Sequence, residues 1–405
     1  MDVKRLKTEN QGIATILAFA LIPLSGFATD VYIPSLPTMS RELGVTELQV
    51  QLTLGMFLIS YGVAQLFVGS LLDSFGRYKI GLISLFVFAL ASVLIANTSN
   101  IYFIYAMRIV HGITVGAIVV SKRAYFIDVF SGDQLKNYLS MFSIIWATAP
   151  IIAPFAGGYL QSWFGWQSNF YFLAVFALII LVLELTFSGE TIRQKMEFSL
   201  RKIAAVYTEM ISTSSFTLGI VMLGLSYGMV MIYNMTGPFI IEHHLGHSPI
   251  VAGYSSLLLG SAVMLGGFIG KLTINKPFFS KLTVNLGLQF FFLMAMFLSL
   301  GFIENLYSLV FFAFIIHACS GYTFNTFFTY CLSKFPKNAG IASGLTGGIN
   351  YVIVSFLTYA VIAAIPAEDE QNLASSYGIL IGLSLLIMLL IFKLDQRKTT
   401  SRSEQ

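Results

Sequence analysis

The sequence predicts an all-α membrane protein with twelve transmembrane helices, and three observations support this. Hydrophobic residues make up 56% of the 405-residue chain and charged residues only 10%, whereas a soluble domain is about 25% charged. Twelve apolar runs follow one another along the chain, each of about 20 residues or more, the length that crosses a hydrocarbon core. The basic residues between these runs fall almost entirely on alternate connections.

Each apolar run is predicted to be a helix because the bilayer offers unpaired backbone groups no water to bond with. The runs lie near 12–36, 46–72, 79–97, 101–125, 137–162, 168–187, 214–241, 249–271, 281–303, 306–331, 338–365 and 371–394. The first follows three basic residues, as in a signal peptide, but it is too long and lacks a small-residue cleavage site. We therefore expect an uncleaved first helix.

The positions of lysine and arginine predict the orientation. With a cytoplasmic N-terminus, 21 of the 23 basic residues fall on cytoplasmic segments; Arg41 lies outside and Arg108 lies within a helix. Such an excess is the positive-inside pattern. Both termini are thus predicted to be cytoplasmic, and the net charge of +4 reflects topology, so no nucleic-acid partner is expected.

The chain is predicted to consist of two six-helix halves, residues 1–187 and 214–405, joined by a cytoplasmic linker over residues 188–213. The linker stretch MEFSLRKIAAVYTEM is amphipathic and is expected to lie along the membrane surface. A short repeat relates the halves. The word D-x-x-x-P followed by L-G, at Asp30 to Gly44, recurs as N-x-x-x-P followed by L-G at Asn234 to Gly246.

The stretch GSLLDSFGRYK ends the second predicted helix and forms the short cytoplasmic turn after it. Its glycines allow tight turning and close helix approach, and its charged side chains can cluster at the membrane surface with two further charges at the end of the fourth helix. This predicted cytoplasmic gate motif comprises Gly69, Asp73, Gly76, Arg77, Lys79, Arg123 and Asp128.

A carboxylate and a guanidinium are predicted to meet inside the membrane. Arg108 lies within the fourth apolar run, and a charge in that position is costly unless paired, so it is a functional-site hypothesis by default. Asp30 lies seven residues before Pro37, where we expect the first helix to end, and Arg108 lies seven residues after Ile101. Both would then sit roughly 10 Å below the same surface. The alternative, that Asp30 caps the helix exit or reaches water, stays open.

Other polar and helix-breaking residues mark further candidate sites. In the fifth helix, Pro150 and Pro154 predict bending, while Gly157 and Gly158 let a neighbouring helix approach. Glu184 is expected to reach the cytoplasmic surface. The candidate substrate-cavity residues are Tyr61, His111, Asn234 and His317; interhelical hydrogen bonding is the alternative role for His317. Three histidines in one outside loop, His243, His244 and His247, lack a carboxylate framework, so no metal site is expected.

These motifs together resemble the major facilitator superfamily. GSLLDSFGRYK is similar to its signature G-x-L-x-D-R-x-G-R-[RK], with Ser74 in place of a basic residue. R-I-V-H-G resembles R-x-x-Q-G, with His111 in place of glutamine, and P-F-A-G-G resembles the antiporter motif G-P-x-x-G-G after Ala153 in place of its first glycine. TDVYIPSLP and the stretch from Arg123 to Asp128 resemble the Bcr/CflA drug-exporter branch.

The resemblance implies a major facilitator fold in a bacterial inner membrane, with the transport site between the two halves, and a monomer embedded in membrane lipid. We expect a proton-coupled antiporter that exports small amphipathic compounds by alternating access, with Asp30 and Arg108 coupling transport to protons. Export or import of one metabolite, such as a siderophore or another metal chelate, is the alternative; a receptor without transport is a third. No Walker A loop or H-E-x-x-H helix occurs, so neither an enzyme nor a cofactor is predicted.

Overall fold

The computed structural model describes residues 4–192, 200–335 and 339–403, and these residues are almost entirely helical. The α-helices up to residue 187 are α1 (Gln11–Leu21), α2 (Leu24–Asp30), α3 (Leu36–Leu43), α4 (Glu47–Phe75), α5 (Arg77–Ala96), α6 (Ile101–Val129), α7 (Gly132–Phe164) and α8 (Gln167–Phe187). Those that follow are α9 (Leu200–Ser212), α10 (Ser214–Phe239), α11 (Pro249–Leu272), α12 (Phe278–Ser299), α13 (Leu306–Lys334), α14 (Ala339–Ala364) and α15 (Glu370–Ser403).

The helices confirm the predicted membrane architecture. Within the described residues, eleven helical stretches are long and apolar enough to cross a membrane. Each coincides with one of the predicted apolar runs, and the remaining run, 137–162, lies in the 33-residue helix α7. Within the predicted linker, α9 is a helix over Leu200–Ser212. Residues 193–199 of that linker lie outside the described part.

The first span differs from the prediction because it is built from short helices and does not end near Pro37. The helix axis is interrupted between α1 and α2, and again between α2 and a 3₁₀ turn at Ile33–Ser35, before α3 continues to Leu43. Pro34 and Pro37 are the second residues of the 3₁₀ turn and of α3. In the first turn of a helix the missing N–H costs no helical hydrogen bond, so these prolines lie at helix starts and do not end the span.

The repeated L-G pair marks the same kind of helix end in both halves. Gly44 closes α3 with φ of 65°, and Gly246 has φ of 69° just after a single π-helical turn, Ile240–His244, that extends α10. Left-handed φ values favour glycine because it has no Cβ. The repeat in the sequence therefore corresponds to a repeat in backbone conformation.

The helices are grouped into two compact units along the chain. One comprises Met1–Leu200 with Ser248–Leu257, and the other Arg201–His247 with Leu258–Gln405. In the first unit α4 packs along α6, α5 packs on α6 and α8, and α2 packs on α7; in the second, α10 packs on α13, α14 and α15. The half boundaries at residues 188 and 213 stay a prediction.

Two amide side chains fasten α12 to α13 in the second unit. Gln289 Nε2 donates to the Ile316 carbonyl at 3.1 Å and to Ser320 Oγ at 3.0 Å, and Asn285 Nδ2 donates to the Cys319 carbonyl at 3.0 Å. Interhelical hydrogen bonds of this kind hold membrane helices together where no hydrophobic force acts between them. Polar residues in these helices therefore have structural partners.

Candidate functional site

Arg108 lies at the centre of a buried site in the first unit. Its side chain is fully buried in α6, with the guanidinium carbon 4.6 Å from the ring centroids of both Tyr32 and Phe57. Nη1 donates to the Ala28 carbonyl at 2.9 Å and Nε to the Thr53 carbonyl at 3.4 Å. Aromatic faces and carbonyl oxygens both attract a cation. The carbonyls of α2 and α4 and the two rings therefore hold the guanidinium in the protein interior, away from solvent.

One nitrogen of Arg108 is weakly bonded. Its Nη2 is buried and makes no close, well-aligned hydrogen bond among the described residues, although the guanidinium also interacts with the Tyr32 hydroxyl. The neighbouring hydroxyl of Tyr32 is 2.9 Å from Thr53 Oγ1, which itself donates to the Val50 carbonyl; the Tyr32 hydroxyl therefore donates to Thr53. A buried donor that lacks a well-aligned partner is costly, so the site carries a donor that can bind another group.

Asp30 lies in the same buried region as Arg108. It is the last residue of α2, only 1% exposed, and it follows by two residues the Ala28 carbonyl that accepts from Arg108. Its carboxylate lies within electrostatic range of both Arg108 and Tyr32. The structure thus brings together the two residues that the sequence paired by depth, although the helix end used for that argument was wrong.

His111, predicted to line the substrate cavity, is fully buried one turn along α6 from Arg108. Its Nδ1 lies 3.3 Å from Arg108 Nη1 and its Nε2 lies 3.0 Å from Ser92 Oγ on α5. The Phe88 ring covers it, with ring centroids 4.5 Å apart. Both ring nitrogens are thus used inside the protein, and substrate contact by His111 stays a prediction.

The other three candidate cavity residues are divided between the units. Tyr61 is buried in the first unit and stacks on Phe57, with centroids 5.7 Å apart, so it lies one ring away from Arg108. In the second unit Asn234 and His317 are also buried. His317 Nε2 lies 3.0 Å from the Tyr377 hydroxyl, which is the interhelical hydrogen bond that the sequence left open as its alternative role.

Part of the gate motif forms an ion-pair network at the cytoplasmic rim. Arg77 pairs with Asp73 at 2.9 Å and with Asp128, and it donates to the Ala124 carbonyl at 3.1 Å. Asp128 also accepts from Thr191 Oγ1 at 2.8 Å. The predicted grouping of the second and fourth helix ends is therefore present.

Other gate residues are more accessible than the Arg77 side chain. Lys79 and Arg123 are exposed, and Gly69 has open space around it. Ser74, which replaces the family's basic residue, donates to the Ser70 carbonyl of its own helix. The substitution therefore removes a charge from the rim without adding a new interhelical bond.

We expect Asp128→Asn to weaken this rim. The change removes one of the two carboxylate charges that Arg77 pairs with, and a hydrogen bond to a charged group contributes about 1.5–3 kcal/mol. The melting temperature of the purified protein should fall, whereas the matched change Glu368→Gln, at an exposed acid, should leave it unaltered. Equal melting temperatures for the two variants would contradict a structural role for the Asp128 charge.

Glu190 is a rim residue that the sequence reasoning missed. Its carboxylate accepts from the Tyr78 backbone N–H at the start of α5 at 3.2 Å and from the Thr191 and Ile192 N–H groups at 3.1 Å. Gly76 takes φ of 104° beside it, and a Cβ there would lie 2.5 Å from the Glu190 carboxylate. A carboxylate is stabilising at a helix N-terminus. The sequence does not indicate which helix a distant glutamate will cap, so this contact could be found only in the folded structure.

Glu184 is likewise buried, contrary to the expectation that it reaches the surface. It is 1% exposed, and its Oε2 lies 2.7 Å from Lys122 Nζ. Lys122 belongs to α6 and Glu184 to α8, so the pair joins two helices. Pairing reduces the cost of burying each charge, which is why the acid is tolerated one turn inside the helix end.

The proline-glycine motif of α7 packs against the backbone beside Asp30. A Cβ on Gly157 would clash with the carbonyl of Val31, the residue directly after Asp30, and one on Gly158 would lie 2.7 Å from the Pro249 carbonyl. Pro150 and Pro154 lie inside the same helix, as predicted. The close approach expected of the two glycines is present, and it connects α7 to the segment that follows Asp30.

No group of three or more His, Cys, Asp or Glu side chains within the described ranges is arranged to hold a metal ion. The site is therefore built from one buried cation, one buried acid and their aromatic and carbonyl neighbours. Such a set can exchange a proton or bind a charged group.

Comparison with known proteins identifies one family. The family model described as Major Facilitator Superfamily matches residues 18–359. The chain is 28% identical over 389 residues to multidrug resistance protein MdtL of Shewanella sp. (strain ANA-3), covering 94% of this chain and 96% of that protein. It is 26% identical over 381 residues to the bicyclomycin resistance protein homolog of Haemophilus influenzae, covering 92% and 94%.

Solved structures agree on the fold. The inward-open xylose transporter XylE from E. coli superposes with a TM-score of 0.72 at 14% identity, covering 95% of this chain and 96% of that one. A D-xylose-proton symporter gives a TM-score of 0.68 at 16% identity, with 94% and 97% covered. At these identities the likeness concerns the twelve-helix fold alone.

Proposed function

Because the chain belongs to the Major Facilitator Superfamily, we propose that it is a proton-coupled antiporter that exports small amphipathic compounds, antibiotics and other drugs among them. The chain is a multi-pass transporter of small molecules in a bacterial inner membrane and is not an enzyme. The names of its relatives, which refer to multidrug and bicyclomycin resistance, support this substrate class. We further propose that it works as a monomer.

The observation that carries the proton-coupling proposal is the complete burial of Arg108 within electrostatic range of the buried Asp30. A charge that must be desolvated in a membrane protein marks a transport or proton pathway by default. Burial disfavours the ionised form of a carboxylate, whereas a neighbouring cation favours it. When substrate or water enters the site, the balance between these two effects changes, and with it the tendency of Asp30 to bind a proton. A residue that couples transport to protons must respond to substrate in this way.

In the proposed cycle, the site faces the cytoplasm and substrate binding displaces a proton from Asp30. The ionised carboxylate then interacts with Arg108 or with a cationic substrate. Once the site faces outward, Asp30 binds a proton from outside, its hold on the substrate weakens, and the site returns inward with the proton on Asp30. Each proton that moves inward across 100 mV supplies roughly 2.3 kcal/mol.

The other predicted residues have proposed roles around this couple. Tyr61, His111, Asn234 and His317 are proposed substrate contacts, of which Tyr61 has the best support because its ring stacks on Phe57 beside Arg108. The rim residues around Arg77 are proposed to control opening to the cytoplasm. The α7 glycines are proposed to let α7 move against the first span without a steric barrier.

The proposal is tested by substrate-dependent proton movement in everted vesicles that contain the protein. A panel of antibiotics, cationic dyes and metal chelates is added to energised vesicles, and the internal pH is followed with a fluorescent probe. We expect several amphipathic drugs to release protons from the vesicles. A response to chelates alone would support the metabolite alternative, and transport without any proton movement would refute the coupling.

A further inference from the structure

A chain of three hydrogen bonds leads from Arg108 into α5. Arg108 Nη1 lies 3.3 Å from His111 Nδ1, His111 Nε2 lies 3.0 Å from Ser92 Oγ, and Ser92 Oγ donates to the Phe88 carbonyl at 2.9 Å. The side chains of Arg108, His111 and Ser92 are all fully buried. No water is therefore needed to complete the chain.

The direction of every bond follows from what each group can do. A guanidinium only donates and a carbonyl only accepts, so His111 Nδ1 must accept from Arg108, and the Ser92 hydroxyl hydrogen must go to Phe88. Ser92 then has only lone pairs left for His111, whose Nε2 must carry the hydrogen. The network thus assigns a neutral His111 with its proton on Nε2.

We propose that His111 is a positioning residue for Arg108 and that Ser92 presets the tautomer in which His111 can accept. The inference rests on the proposed function, in which Arg108 changes partners during the cycle. When the guanidinium turns to Asp30 or to substrate, His111 Nδ1 loses its donor. Ser92, held by Phe88, still requires the proton on Nε2, so Nδ1 stays an acceptor to which Arg108 can return.

Ser92 supplies the side-chain hydroxyl on the Nε2 side of the His111 ring, where the other neighbouring side chains are aromatic. The rings of Phe88 and Phe170 flank His111, with centroids 4.5 Å and 6.5 Å away. Without the Ser92 hydroxyl, His111 would keep, among the described residues, only the Phe88 carbonyl as a polar neighbour on that side, and the loss of one buried hydrogen bond is costly. If the proton were on Nδ1 instead, an N–H of His111 would point at an N–H of Arg108, and no hydrogen bond could form between them.

The proposal is tested first by measuring transport in variants of Ser92. Ser92 lies on α5 and Arg108 on α6, so these variants alter the hydrogen-bond chain without changing the helix that carries Arg108. Ser92→Ala should lower proton-coupled transport of a cationic dye about tenfold, the equivalent of one buried hydrogen bond, and Ser92→Thr, which keeps the hydroxyl, should restore it. His111→Leu, which offers neither an acceptor nor a donor, should lower transport at least as far as Ser92→Ala. Unchanged transport in Ser92→Ala would overturn the proposal.

The tautomer is measured separately, by ¹⁵N NMR of histidine-labelled protein in nanodiscs. The chain has five histidines, and the signals missing in His111→Gln identify this one. We expect a bare Nδ1 and a hydrogen-bonded Nε2–H in the unaltered protein and in Ser92→Thr, and a weaker Nε2–H hydrogen bond, seen as a shifted signal, in Ser92→Ala. A proton on Nδ1 in the unaltered protein would overturn the inference. Absent proton release with these expected spectra would instead refute the proposed function alone.

Discussion

Replacing Asp30 by asparagine is expected to abolish substrate-induced proton release and to lower uphill transport by about 100-fold, the lower end of what a positioned proton-transfer group contributes. Asparagine has nearly the shape of aspartate but binds no proton. Because Asp30 is 1% exposed and lies within electrostatic range of Arg108, the substitution should remove the proposed proton site and leave the packing of α2 nearly unchanged.

The second half of the chain shows that an amide is tolerated at such a position. Asn234 takes the place of Asp30 in the D/N-x-x-x-P repeat and is buried within α10. The Asp30→Asn protein should therefore reach the membrane and melt close to the unaltered protein. Its proton release in everted vesicles decides the matter, with Asp30→Glu as the control that keeps a titratable group. Full proton release from Asp30→Asn would rule out Asp30 as the coupling residue.

The spans and the buried cation were predictable because they depend on local sequence. A run of about 20 apolar residues has few alternatives to a membrane helix, and Arg108 stands out because it is the charge that interrupts such a run. The first span was harder. Its breaks fall around Pro23 and Tyr32, while Pro34 and Pro37, the more visible helix breakers, lie where proline costs little.

The partners of buried charges could not be predicted because they come from distant parts of the chain. Glu184 pairs with Lys122, and Glu190 caps α5 at Tyr78, 112 residues earlier. Sequence position indicates how deep a charged residue lies, but helix rotation and packing decide which side chain it meets. For Arg108, the sequence therefore predicted that Asp30 lies at the same depth in the membrane. It did not predict the contacts of the guanidinium with the Ala28 carbonyl and with the rings of Tyr32 and Phe57, which only the structure shows.

Gly157→Ala is expected to be the most disruptive single-methyl change in the first unit. The added Cβ would run into the Val31 carbonyl, a backbone atom that cannot rotate away as a side chain can. Overpacking of this kind typically costs 1–3 kcal/mol, and a backbone clash belongs at the top of that range, about 3 kcal/mol. Because Val31 follows Asp30, the shift that relieves the clash also moves the proton site, so we expect both the melting temperature and coupled transport to fall.

Gly287→Ala is the matched control for this prediction, because Gly287 also lies within a membrane helix but has no atom within 4 Å of an added Cβ. Alanine is a better helix former than glycine by about 1 kcal/mol, so this control should melt at the same temperature or slightly higher and transport normally. The two variants carry the same chemical change, and their difference isolates the contact between α7 and the first span. If Gly157→Ala melted and transported like Gly287→Ala, then α7 would not be packed against Val31, and the glycine motif would have no steric reason to lie beside Asp30.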